Sequence, residues 1–133
     1  MQRLLQKFET AKRIVPRPVK REAKEPTKYG AIYFGSTAPA MEEALEALEA
    51  RGIHLDTLRI RAFPFHDDVF DFISNHERVF VVEQNRDGQL RSLLMLETGV
   101  PIEKLESVRY YGGFPLSAHH VISGVKAKIE RAA

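Results

Sequence analysis

The chain of 133 residues is 44% hydrophobic and 29% charged, the balance of a single soluble domain large enough to bury a core without cross-links. It contains no cysteine, which excludes disulfides, thiol nucleophiles, and iron–sulfur or zinc sites built on its own thiolates. The net charge of +2 is unevenly spread: residues 1–28 hold nine Lys/Arg against three Glu, and residues 29–133 hold eleven against fifteen Asp/Glu.

A basic arm therefore precedes a mildly acidic domain, dividing the chain into residues 1–28 and 29–133. The arm reads as a short helix, Gln2 to Arg13, followed by a Pro/Lys/Arg/Glu stretch, Val15 to Lys28, with the composition of a semi-extended interdomain linker. Its one aromatic, Phe8, and its interruptions at Pro16, Pro18 and Pro26 provide neither a stacking platform nor a long basic helix, so neither nucleic acid nor membrane is expected as a partner. No segment approaches the roughly 20 apolar residues of a membrane span. The first residues lack the apolar core of a signal peptide, so the expected location is cytoplasmic.

From Tyr29 strands and helices alternate. "YGAIYF", Tyr29 to Phe34, is apolar on both faces, as a central parallel strand is. Gly35, Ser36 and Thr37 turn the chain into a helix over Ala38–Arg51, with Pro39 in its first turn and Gly52 at its end. Leu55–Ala62 is predicted as the second strand, ended by "FPF", and Asp67–Asn75 as a short helix. Arg78–Glu83 is the third strand. Gln89–Thr98 is a helix stopped by Gly99 and Pro101. Ser107–Tyr111 is the fourth strand, and "GGFP", Gly112 to Pro115, leads to a last helix ending near Arg131. Strands separated by helices of this length predict right-handed βαβ units: an α/β three-layer sandwich around a mostly parallel sheet.

Parallel strands share a carboxyl edge, where ligands and partners of open α/β sheets dock. This edge receives Gly35-Ser36-Thr37, Pro64 with its flanking phenylalanines and His66, Glu83-Gln84-Asn85, and Gly112-Gly113-Phe114. Ser36 or Thr37 is a candidate cap for the helix that follows, or an anion contact. Glu83 is a candidate general base, a cap for the neighbouring N–H groups, or half of an intersubunit pair. Asn85 or Asp87 can cap the helix that Gly88 opens, and "GGFP" reads as a tight turn needing positive φ. No dinucleotide or P-loop fingerprint follows the first strand, and no G-x-S-x-G elbow occurs. None of the five histidines lies at the spacing of a helical metal pair, so no bound metal is expected.

Four segments in order, "YGAIYFGSTAPAMEEALEALEARGI", "RIRAFPF", "VFVVEQNRDGQLRSLL" and "VRYYGGFPLSAHHV", resemble the C-terminal part of 2-oxoacid:ferredoxin oxidoreductase alpha subunits, over about Arg3 to Lys128. The most specific pieces are "GST", "VVEQN-x-x-GQL" and "Y-x-G-x-P". The resemblance implies the fold of the transketolase C-terminal domain. It also implies an enzyme that decarboxylates a 2-oxoacid on thiamine diphosphate, passes electrons through iron–sulfur clusters to ferredoxin, and forms an acyl-CoA. Thiamine diphosphate, magnesium and the clusters are implied on other domains or subunits. The chain lacks both cysteine and a G-D-G…N motif, and no cofactor is assigned to it. The pyrimidine-binding domain that precedes this region in the family is absent from the sequence, so no catalytic residue is assigned.

Carried over by position, Glu83, Asn85, Gly88 and Gln89 hold an edge loop, and Gly112 and Pro115 shape the last turn. With Gly35, Ser36, Thr37, Pro64 and Gln84 they form the expected interface toward other domains or subunits, in a homodimer. The competing reading is a free-standing module that binds a nucleotide or CoA at the same edge.

Overall fold

In the computed structural model, which describes residues 1–132, five strands and five α-helices form three layers. Helix α1 spans Gln2–Ile14 and a short strand β1 spans Val19–Arg21. The alternating part follows: β2 Tyr29–Phe34, α2 Ala38–Glu49, β3 Asp56–Ile60, α3 Asp67–Ser74, β4 Arg78–Glu83, α4 Gln89–Thr98, β5 Leu105–Arg109 and α5 Ala118–Ala132. The sheet order is β1-β3-β2-β4-β5, with β2 to β5 mutually parallel and β1 antiparallel to β3.

The central strands are buried on both faces because each face has its own helical layer. Ala31, Tyr33, Phe80 and Val82 pack under α2 and α5 with Met41, Leu45, Leu48, Val121 and Val125. The alternate residues Ile32, Leu58, Val79 and Val81 face α3 and α4 with Val69, Phe72, Ile73 and Leu94. Gly30 is needed where α3 comes closest: a Cβ there would stand 2.8 Å from the Phe72 ring.

Three elements differ from the sequence reading. The stretch expected as a linker contributes a fifth strand, with Val19, Lys20 and Arg21 paired to Arg59, Leu58 and Thr57. Its three residues are all exposed, so no buried alternation marks it. The second strand is shorter than Leu55–Ala62. It ends at Ile60, its last residue paired to β2, opposite Phe34. The last strand begins at Leu105 rather than Ser107, because buried Leu105 sets the register opposite Val79.

Candidate functional site: the carboxyl edge

The chain leaves β2 toward β3 on one side of the sheet and leaves β4 toward β5 on the other, so the topological switch point lies between the carboxyl ends of β2 and β4. In open α/β sheets this crevice is the usual ligand seat, and here the protein fills it with its own side chains.

Glu83, the last residue of β4, is fully buried. Its carboxylate accepts from the backbone N–H of Leu90 at 2.7 Å and of Arg91 at 3.2 Å, and from the Asn85 amide at 2.7 Å. The Asn85 carbonyl oxygen accepts from the N–H of Gly88 at 2.7 Å and of Gln89 at 3.2 Å. Four first-turn N–H groups of α4 are thus satisfied by two side chains one β-strand end away, the geometry that burial of a helix N-terminus demands. Gly88 enters the turn at φ +67°, the left-handed region that favours glycine.

Gln84 closes the crevice. Its amide nitrogen donates to Ser36 Oγ at 3.3 Å and to Thr37 Oγ1 at 3.4 Å, while its amide oxygen accepts from the Leu116 N–H at 3.3 Å. One side chain therefore bridges the loops after β2, β4 and β5. Ser36 and Thr37 do not cap α2 as the sequence suggests: Thr37 has α-helical backbone angles and its side chain makes no capping bond. Gly35 opens the 3-10 turn that carries both hydroxyls. Gly112 and Pro115 lie in the exposed loop that leads to Leu116, with Gly113 at φ +80°. Pro64 follows a cis peptide bond, and its neighbours Phe63 and Phe65 meet edge to face at 5.2 Å.

A diphosphate needs free N–H donors or cations at such an edge. The α4 N-terminus offers neither, because a carboxylate already occupies the anion position. Two of the histidines are likewise committed. His66 Nδ1 accepts from the Asp68 N–H at 3.2 Å. Buried His76 bridges the Phe72 carbonyl at 2.7 Å and Asp56 at 2.9 Å. Among the described residues no group of three or more His, Asp or Glu side chains could hold a metal ion. The residues present do not fit a magnesium–diphosphate group, and without cysteine they offer no thiolate to a cluster.

Two features escaped the sequence reading. Beside the switch point an apolar cleft of about 450 Å³ runs between the ends of β2 and β3 and the start of α4. The signal was the "FPF" just past β3. The arm, for its part, is clasped by ion pairs: Lys12–Asp67 at 2.7 Å, Arg17–Asp68 at 2.9 Å, Lys24–Glu49 at 2.8 Å, Arg21–Glu49 at 3.1 Å and Lys28–Glu77 at 3.3 Å. The Lys24 ammonium hydrogen-bonded to Glu49, with Arg21 beside it, holds that carboxyl below the usual carboxylate range. Lys12 and Arg17 do the same for Asp67 and Asp68. Five of the arm's cations are thus engaged by the domain, and Lys20 pairs with Glu22 within the arm at 3.2 Å. No described helix is long and apolar enough to cross a membrane.

No protein-family model matches the chain. It is 32% identical over 107 residues, 79% of its length, to the 2-oxoacid:ferredoxin oxidoreductase subunit alpha of Saccharolobus solfataricus. It is 34% identical over 101 residues, 74% of its length, to the alpha subunit of 2-oxoacid:ferredoxin oxidoreductase 2 of Aeropyrum pernix. The matched regions are only 17% and 15% of those two subunits. Among solved structures, a 2-oxoglutarate:ferredoxin oxidoreductase from Magnetococcus marinus, with 2-oxoglutarate, coenzyme A and succinyl-CoA bound, superposes with a TM-score of 0.78 at 24% identity, covering 91% of this chain and 21% of that one. A split-gene transketolase, an inactive β4 tetramer, superposes with a TM-score of 0.64 at 21% identity, covering 84% of this chain and 41% of that one. At these identities the structural likeness establishes the fold, a transketolase-like α/β sandwich.

Proposed function

Because this chain belongs to the 2-oxoacid:ferredoxin oxidoreductase alpha-subunit family, matching a domain-sized stretch of such subunits, we propose that it serves as the transketolase C-terminal-like domain of an oxidoreductase of that type, working in assembly rather than in chemistry. The assembled enzyme would convert a 2-oxoacid to an acyl-CoA and pass electrons to ferredoxin. Thiamine diphosphate, magnesium and iron–sulfur clusters would be held by other domains or subunits, in the cytoplasm.

The observation that carries this reading is the self-filled switch point. Glu83, Asn85 and Gln84 use the donors and acceptors that a cofactor would otherwise meet. What remains outward at the edge is a set of loop residues: Gly35 and Ser36, Pro64, Gln89, and Gly112 to Pro115. Such a surface suits packing against a neighbouring domain, in a dimeric assembly.

Native mass measurement of complexes purified from the source cells tests the proposal. The expected result is a species in which this chain accompanies thiamine- and cluster-bearing polypeptides. Recovery of the chain alone overturns the assembly role. Calorimetry of the isolated chain with thiamine diphosphate and magnesium provides a second test, in which micromolar binding would contradict the assignment of those cofactors elsewhere.

A further inference from the structure

The apolar cleft beside the switch point is lined by Phe34, Ile60, Phe63, Phe65, Leu90 and Leu93. Two of its walls stay open to solvent, Phe34 at 42% and Phe63 at 47% exposure, although aromatic surface of this size is ordinarily buried. Two polar side chains stand among these apolar ones, Arg61 and Gln89. Arg61 makes no hydrogen bond or ion pair with any described residue, in contrast to the five engaged cations of the arm. The Gln89 backbone N–H is taken by Asn85, but its side-chain amide has no partner among the described residues. The cleft thus combines an apolar floor with one uncommitted cation and one uncommitted amide. The same carboxyl edge also exposes Tyr111 at 66% and Phe114 at 77%, in the β5–α5 loop that Gln84 ties to the β2–α2 turn.

We propose that this cleft is a docking site for a protein segment of a partner domain or subunit that inserts one large apolar side chain and presents a carboxylate, one or two residues away, to Arg61. Charge complementarity selects the carboxylate: Arg61 is a cation without a counter-ion at the rim of an apolar seat, where a guanidinium–carboxylate pair gains from its partial desolvation. The aromatics exposed elsewhere on this edge select a protein over a free small molecule, because a ligand confined to the cleft leaves Tyr111 and Phe114 bare, whereas a protein surface spanning the edge covers them.

The inference rests on the assembly reading but fails separately from it. The test uses the full chain and three probes followed by NMR: a capped peptide centred on Phe-Asp, the same peptide with Phe-Lys, and free 3-phenylpropionate. The expected result is shifts confined to Phe34, Phe63, Leu90 and Leu93. The Phe-Asp peptide should bind about ten-fold tighter than Phe-Lys, and R61E should invert that preference. Equal binding of the two peptides, no binding, or free acid binding as tightly as the peptide each overturns the proposal. Arg61 is exposed, so R61E is expected to fold, and an unchanged melting curve verifies it. If the peptides fail while the chain still assembles with its partners, the docking site falls and the assembly role stands.

Discussion

Two regions of this molecule are held by carboxylates, and they are held in opposite ways. At the carboxyl edge a single buried carboxylate, Glu83, gathers two backbone N–H groups and one side-chain amide, with no cation among its hydrogen-bond partners. Along the arm, Glu49, Asp67, Asp68 and Glu77 meet lysines and arginines. The buried arrangement is neutral in its donors but has no water to fall back on, so every lost bond leaves an unsatisfied group. The arm's pairs carry full charges, yet apart from the Glu49 carboxylate, which is 7% exposed, water and salt compete for the partners. Hydrogen bonding without ion pairing is therefore the stronger tie here, because burial rather than charge sets the cost of its loss.

The sharpest way to break the comparison is Glu83→Ala. It strands the Leu90 and Arg91 N–H groups and the Asn85 amide, for an expected loss of about 3 kcal/mol and a fall in Tm on the order of 10 °C. Gly88→Ala is expected to cost about 1–2 kcal/mol, because alanine pays a steric penalty at positive φ. Asn85→Ala removes the cap on Gly88 and Gln89 and should lower stability by about 1 kcal/mol in denaturant unfolding. Asp67→Asn, which removes the exposed partner of Lys12, is expected to leave global melting almost unchanged while speeding amide exchange in α1. An equally large Tm loss from this variant and from Glu83→Ala would erase the distinction.

Acid sharpens the same contrast. The carboxyls of Glu49, Asp67 and Asp68 titrate below their ordinary range in the folded protein, so their contribution is present above about pH 4 and is lost as pH falls through the folded values. NMR should show β1 and α1 releasing at acid pH before the parallel strands lose their shifts.

The sequence made parts of this legible and hid others for physical reasons. The boundaries of β2, β4 and α4 follow from uninterrupted apolar runs and from Gly88 and Gly99, which terminate α4 in their own local terms. The edge loops were legible as a group, because strand polarity alone sends them to one side. Which side chain caps which helix was not, since that depends on backbone direction: Thr37 turns helical too early to cap α2, and its hydroxyl is left to Gln84. Strand β1 was invisible for another reason. Three exposed residues following Pro18 have no periodicity of their own, and only the facing edge of β3 makes them a strand.

That short strand has a further consequence, for the behaviour of shortened forms of the protein. By lying antiparallel on β3, Val19 to Arg21 occupies a margin where another chain could add a strand. The strand itself is only three residues long and carries two exposed charged residues, Lys20 and Arg21, features that disfavour further growth of the sheet. Removing residues 1–28 would bare the backbone edge of the strand Asp56–Ile60 at Thr57, Leu58 and Arg59. Such a fragment would lose little of its core, yet would be prone to self-association through an open sheet edge.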